Sequence, residues 1–317
     1  MHLLAAPDKF RGTLGAREAA AAIAAGAARA GWSAAELPLA DGGEGTLDVL
    51  GGGNRRTTVT GPLGERLEAE WRLEEDGTAL IEAAQACGLT LAGGAEGNDP
   101  LRATSRGVGE LVAAAVAEGA TRIVVAVGGV ASTDGGVGAV DALPPRLPPL
   151  DVACDVEARF LDAVDVFGPQ KGATPDQVRI LRERLAKLDV PDLPGSGAAG
   201  GLAGGLAAKG ARLLPGFDLV ASRLGFDEHL EGADLVVTGE GLVDATSLTG
   251  KVVGRVLARA DAAGVETLVL AGDVAAGSPI DAVSLVERYG PERALAEPAA
   301  CLAELVEIAL AARRDGP

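Results

Sequence analysis

The sequence predicts an α/β protein: a parallel-sheet domain with a second, mixed α/β domain inserted into it. Three observations lead there. Short apolar, valine-rich runs recur, each ending in glycine and followed by an alanine-rich helical pattern, which is the strand, loop, helix unit of α/β folds. The runs are uniformly apolar rather than alternating, as in strands covered on both faces. Between about Arg55 and Glu82 the rhythm changes to strand and turn without an intervening helix. With 317 residues and 48% hydrophobic content the chain can bury two cores. Only 3% of residues are aromatic, so those cores must be aliphatic and alanine-rich, with closely packed helices.

The elements follow in order. Residues 2–6 form a short strand, and an alanine-rich helix over about 16–30 stops at Gly31. A second unit starts with a strand at 34–39 and runs into Asp41-Gly-Gly-Glu-Gly-Thr46. Segments 55–60, 66–73 and 78–82, separated by Gly61-Pro62-Leu63-Gly64 and Asp76-Gly77, read as antiparallel hairpins. Further apolar strands are expected at 121–129, 234–241 and 267–272, with a helix at about 250–263 closed by Gly264. Pro144-Pro-Arg-Leu-Pro-Pro149 is a stiff spacer. Thr174-Pro-Asp-Gln177 starts a helix with a capping Thr, Pro at the first position and Gln completing the box. The expected division is 1–60 with 250–317 for the parallel-sheet domain and 61–249 for the insertion.

Composition narrows the function. A net charge of −17 and a pI near 4.6 repel nucleic acid and anionic lipid, so neither is an expected partner. An acidic protein acting on anionic substrates must place its cations locally, which draws attention to Lys and Arg inside glycine loops. Cys87, Cys154 and Cys301 are odd in number and in no CxxC pattern, as free thiols in a reducing cytoplasm would be. No apolar run reaches the ~18 residues of a membrane span, and the amino terminus lacks signal-peptide features, so a cytoplasmic location is expected. With only His2 and His229, Ser-His-Asp chemistry and multi-histidine zinc sites are strongly disfavoured, and proton transfer is expected to fall to a carboxylate.

Four glycine-rich stretches carry candidate chemistry. Asp41-Gly42-Gly43-Glu44 puts acids at the carboxyl end of a strand, where α/β sheets bind ligands. In Gly128-Gly129-Val-Ala-Ser132-Thr-Asp134-Gly-Gly136, backbone N–H groups suit phosphate oxygens and the carboxylate suits Mg²⁺. Phe167-Gly-Pro-Gln-Lys171-Gly holds a cation on a stiff loop. The stretch 235–251, LVVTGEGLVDATSLTGK, begins like a buried strand and ends like a phosphate loop. It is no P-loop, because Ala245 and Val252 occupy positions that the pattern reserves for Gly and Ser or Thr. It nevertheless gathers Glu240, Asp244, Ser247 and Lys251 on one turn. Gly195-Ser-Gly197-Ala-Ala-Gly200 matches GxGxxG, but the preceding Val190-Pro-Asp-Leu-Pro194 is a poor central strand, so close backbone packing is the better reading.

Taken in order, PDKFRG at 7–12, DGGEGT at 41–46, GGVASTDGG at 128–136, FGPQKGA at 167–173, GAAGGL at 197–202 and TGEGLVDATSLTGK at 238–251 resemble the bacterial glycerate kinase family, from Leu3 almost to the carboxyl terminus. The segment from Gly136 to Asp151 is shorter than is typical there. Lys9 and Arg11 stand where the family usually has Ser and Lys, and Glu157-Ala-Arg-Phe160 replaces an Asn-Pro-Leu. The resemblance implies a flavodoxin-like domain with an inserted mixed α/β domain, the active site in the cleft between them, and ATP- and Mg²⁺-dependent phosphorylation of D-glycerate, typically at the 2-hydroxyl. Glycerate and ATP are then the small-molecule partners, and a homodimer is a further expectation.

For phosphoryl transfer, Glu240 and Asp244 are expected to face metal and reacting hydroxyl, and Ser247 and Lys251 to face phosphate or substrate oxygens. Of Asp41 and Asp134, one is the candidate general base and the other a candidate Mg²⁺ ligand beside Glu240. Arg11 and Lys171 would hold carboxylate or phosphate. Asp8, Gly42, Gly43, Gly128, Gly129 and Ser132 complete the expected substrate and phosphate contacts. The departures from the family pattern leave two alternatives: a non-catalytic or altered-acceptor member, and, from GxGxxG, a dinucleotide-binding oxidoreductase.

Overall fold

A computed structural model describes residues 1–10 and 12–314. The chain divides into two compact units, Met1–Asp41 with Val220–Pro317, and Gly42–Leu219. Strands β1 (His2–Ala5) and β2 (Ser33–Glu36) precede the first boundary. Six lie in the second unit: β3 (Arg55–Thr60), β4 (Arg66–Leu73), β5 (Thr78–Glu82), β6 (Arg122–Ala126), β7 (Leu150–Ala153) and β8 (Arg212–Leu214). The first unit resumes with β9 (Leu235–Val243), β10 (Glu266–Val274) and β11 (Val283–Ser284).

The first unit is a five-stranded parallel sheet in the order β11-β10-β9-β1-β2. Its inner strands β1 and β9 are mostly buried, as strands covered by helices on both faces are. Leu3, Ala5, Val237 and Leu270 pack with Ile23 of the helix Ala16–Arg29 and Leu302 and Val306 of the helix Pro298–Arg314. The two helices meet at Gly26, where an added Cβ would lie 2.3 Å from the Ala303 carbonyl, so the scarcity of large side chains is offset by backbone proximity.

The second unit is a six-stranded mixed sheet, β3-β4-β5-β6-β7-β8, antiparallel across the first two pairs and parallel thereafter. The hairpin segments have the boundaries expected from their alternation and turns. The division of the chain differs from the expected one. The sequence reading puts the boundaries at 60/61 and 249/250, whereas chain contacts put them at 41/42 and 219/220. The reason is pairing: β9 joins β1 and β10 in the parallel sheet, and β3 pairs only with β4. The spacer Pro144–Pro149 leads into β7, so the short stretch after Gly136 makes the β6 to β7 crossover with a single six-residue helix, Val137–Ala142.

Candidate active site

In the first unit, backbone pairing continues beyond the regular strands and delivers acids to one place. Ala6 and Asp8 donate N–H bonds to Val237 O (2.8 Å) and Gly239 O (2.9 Å), while Leu37 and Leu39 donate to Ala5 O and Pro7 O. Asp8, Asp41 and Glu240 therefore all lie at the carboxyl ends of neighbouring strands, where open α/β sheets bind ligands. Gly239 has to be glycine, since a Cβ there would sit 2.0 Å from Leu270 O.

Positive charge only partly offsets the burial of Asp8 and Glu240. Burial, then the Asp41 charge, pushes Asp8 up to about 7, with Glu240 adding to the effect and Lys9 opposing it. Glu240 is also raised, first by burial, against a hydrogen bond from Ser247 and the charge of Lys251. Lys251 Nζ lies 3.7 Å from Glu240 Oε2, and buried Oε1 has no hydrogen-bond partner. Asp244 is differently placed: it caps the turn Ala245–Leu248, accepting from Thr246 N (2.7 Å) and Thr246 Oγ1 (2.6 Å), and these bonds lower its pKa. Buried Ser247 Oγ accepts from Asp244 N (3.1 Å), which ties the turn to Glu240. Lys251 immediately precedes the twelve-residue helix Val252–Ala263, whose first N–H groups favour anions. Asp8, Asp41, Glu240, Ser247 and Lys251 are thus brought together, with Asp244 at the margin. Arg11 lies outside the described residues.

The second unit gathers Ser132, Asp134 and Lys171 around a different arrangement. Lys171 is buried and donates to Ser132 O at 2.6 Å; burial lowers its pKa to about 8 against the nearby Cys87 and Asp134. The hydroxyls of Ser132 and Thr133 are buried without hydrogen-bond partners. Asn98, which the sequence reading missed, ties this region together by donating to Ala131 O (3.2 Å) and Lys171 O (2.9 Å).

Asp134, expected as base or metal ligand, is engaged otherwise. Its Oδ2 accepts from Ser105 N (2.9 Å), Ser105 Oγ (2.8 Å) and Gly138 N (3.1 Å), and Oδ1 from Gly136 N (3.1 Å). Four donors make it a clamp on the loop and the helix that follows. The glycines expected to cradle phosphate also serve packing: a Cβ on Gly128 would lie 2.4 Å from Gly43 Cα, and one on Gly42 would lie 2.9 Å from Gly216 Cα. At 195–200 no strand leads in, and a Cβ on Gly200 (φ +66°) would lie 2.1 Å from Ser132 O, so GxGxxG here is close backbone packing.

Two more acids missed from sequence hold helix starts. Glu82 Oε2 accepts from Gly45 N and Leu47 N, and Asp155 accepts from Gly216 N and Phe217 N. Only an acid at the end of a buried strand could have signalled either one.

Among the described residues no group of three His, Cys, Asp or Glu is placed to hold a metal ion alone. Mg²⁺ is ordinarily bound by one or two carboxylates together with substrate phosphates, so an unpartnered Glu240 oxygen beside Asp41 and Asp8 fits it. No helix among the described residues is long and apolar enough to cross a membrane. The three cysteines carry no disulfide.

An acid cluster at sheet ends beside a lysine that opens a helix suits phosphoryl transfer, and the comparisons place the chain among small-molecule kinases. The model of the glycerate kinase family matches residues 3–149 and 145–307. The chain belongs to the glycerate kinase family. It is 39% identical to glycerate 2-kinase of Escherichia coli (80% of each chain covered) and 36% to glycerate kinase of Bacillus subtilis (88% of this chain, 86% of the relative). It is 44% identical to an uncharacterized protein of Mycobacterium tuberculosis, over 86% of this chain and 79% of that one. A crystal structure from Salmonella typhimurium LT2, provisionally named glycerate kinase 2, superposes with a TM-score of 0.80 at 32% identity, covering 99% and 98% of the two chains.

Proposed function

We propose that the protein transfers the terminal phosphoryl group of ATP to D-glycerate, forming 2-phosphoglycerate and ADP. The observation that carries this reading is the gathering of Asp8, Asp41 and Glu240, mutually repelling and mostly buried, beside Lys251 at the head of a helix. Such a cluster is poised for a cation and for a proton. The substrate 2-hydroxyl oxygen attacks the terminal phosphorus, the bond to the bridging oxygen of ADP breaks, and the hydroxyl proton passes to the Asp8 and Asp41 pair. Asp41 takes the role of base, since Asp134 is engaged by four backbone and hydroxyl donors. Glu240, through its unpartnered oxygen, would hold Mg²⁺, which when bound would neutralise charge on the phosphate oxygens. Lys251 and the helix behind it hold phosphoryl oxygens.

The test is ADP release by purified protein with Mg²⁺ and D-glycerate, L-glycerate or homologous hydroxy acids, with phosphorus NMR to locate the new ester. Release that depends on D-glycerate and is lost in Asp41→Asn supports the reading; ADP formation indifferent to glycerate overturns it. The Glu157-Ala-Arg-Phe160 departure favours a second reading, an altered acceptor. It is supported if a homologous acid outperforms glycerate in kcat/KM.

A further inference from the structure

We infer that Ser247 is a positioning residue: its hydroxyl holds one carboxylate oxygen of Glu240 in place and so presents the other to the cation; this rests on the proposed metal role of Glu240. The sequence reading assigns Ser247 to phosphate or substrate oxygens, but the residue is 0% exposed and its hydroxyl is engaged inside the protein.

The turn after β9 aims that hydroxyl. Asp244 Oδ1 accepts from Thr246 N (2.7 Å) and Thr246 Oγ1 (2.6 Å), so the Thr246 hydroxyl is consumed within the turn. Ser247 N donates to Asp244 O, and Asp244 N donates to Ser247 Oγ, both at 3.1 Å. With a lone pair taken by that N–H, Ser247 still has one proton to give, and a hydroxyl that accepts one bond is a stronger donor in the next. Glu240 receives it. Burial raises Glu240, and the hydrogen bond from Ser247 is the largest influence opposing that rise, ahead of the Lys251 charge. Glu240 Oε1 is buried without a hydrogen-bond partner, so the hydroxyl acts on Oε2, which also lies 3.7 Å from Lys251 Nζ. One oxygen is thereby held by a hydroxyl and a cation, and the other keeps its lone pairs for a metal.

The turn is in turn fixed from behind. A Cβ on Gly254 would lie 2.6 Å from Ser247 O and 2.8 Å from Leu248 Cα, so the first turn of the helix Val252–Ala263 packs directly on this backbone. Lys251 precedes the same helix, and one close contact therefore sets both groups that act on Oε2. Strand pairing of Glu240 with Ala271 places the Glu240 backbone; Ser247 places its carboxylate.

The test uses the full chain with Mn²⁺ as the probe, since carboxylate sites suit Mg²⁺ and Mn²⁺ alike. Free Mn²⁺ is read by electron paramagnetic resonance, ADP binding in EDTA by calorimetry, and folding by the thermal midpoint. Ser247→Ala and Ser247→Cys, which remove or weaken the donor, should each weaken Mn²⁺ about tenfold; Ser247→Thr, which keeps it, should stay within about threefold of the parent. ADP affinity in EDTA should stay within about twofold. In kcat/KM, adding Ser247→Ala to Glu240→Gln should cost less than about twofold more, because the residue acts only through Glu240. Parental Mn²⁺ affinity in Ser247→Ala and Ser247→Cys overturns the positioning role. So does a loss of ADP affinity in EDTA, or a full additional loss in the double variant, since either makes Ser247 a direct phosphate contact. The two readings fail separately: Glu240→Gln that binds Mn²⁺ like the parent removes the metal role of Glu240 and the Ser247 role with it. Weakened Mn²⁺ in Glu240→Gln beside parental affinity in the Ser247 variants removes only the positioning role.

Discussion

The acids at the ends of β1, β2 and β9 and the lysine at 171 are buried charges of opposite sign in two separate units, and their surroundings differ in kind. Asp8 is raised by burial and then by the charges of Asp41 and Glu240 against Lys9, and Glu240 by burial and then by the charges of Asp244 and Asp41 against Ser247 and Lys251. Lys171 instead has a carbonyl directly on its ammonium and Asp134 in its neighbourhood, and burial alone holds its pKa down. The first arrangement is completed by a cation or a proton. The second already has its acceptor and leaves two hydroxyls, on Ser132 and Thr133, to be satisfied. The same contrast separates Asp8 from Asp134: one acid is raised by burial and the Asp41 charge, the other is held by three amides and a hydroxyl.

The largest expected effect tests that contrast directly. Asp41→Asn and Glu240→Gln should each lower kcat/KM by about 10² to 10³, the usual loss for one preorganised charged group, and leave the thermal midpoint unchanged or higher because repulsion is relieved. Either variant keeping near-parental turnover would remove that residue from the reaction. Asp134→Asn should behave in the reverse way. Placing an amide among four donors should cost roughly 3 kcal/mol, seen as a midpoint lower by about 6 to 12 °C in calorimetry. An unshifted midpoint would return Asp134 to the list of free carboxylates. Gly200→Ala, with its Cβ 2.1 Å from Ser132 O and a left-handed φ of +66°, should cost a comparable ~3 kcal/mol or more.

The pH dependence sharpens the comparison further. Lys171 has its folded pKa lowered from 10.5 to about 8, so the unfolded chain binds the extra proton between those values and stability rises with pH across that window, by roughly 3 kcal/mol at most. Asp8 has its folded pKa raised from 3.8 to about 7, so the folded state binds the extra proton and stability falls as pH rises through that window. Denaturant titrations should show the alkaline rise disappear in Lys171→Met and the decline between pH 4 and 7 shrink in Asp8→Asn; parental slopes in the variants would assign the protons elsewhere. The smallest effect lies away from both sites: Thr174→Ala removes the cap on Gln177 N and should cost ~1 kcal/mol with activity unchanged.

Much of the fold was legible. The three hairpin strands were placed correctly because alternation and the turns at 61–64 and 76–77 are local signals, and the helix at 175 was announced by its own capping box. Of the cluster at the strand ends, Asp41, Glu240 and Lys251 were legible as charges beside glycine, Ser247 as part of the same turn and Asp8 through the motif at 7–12. Ser105, Asn98, Glu82 and Asp155 were not. Each of them acts on backbone groups 33 to 73 residues away, and nothing adjacent in the chain marks that use.

Local order and chemical inventory were therefore determined by the sequence alone: side-chain periodicity, turn residues and caps act within a few positions, and the ordered motifs name the family. Tertiary structure decided which unit owns β9, through pairing of Leu3 with Leu235 across most of the chain. It also decided what surrounds each acid. That depends on which distant amides reach them, since a carboxylate surrounded by donors holds a loop together, while one surrounded by other carboxylates awaits a cation.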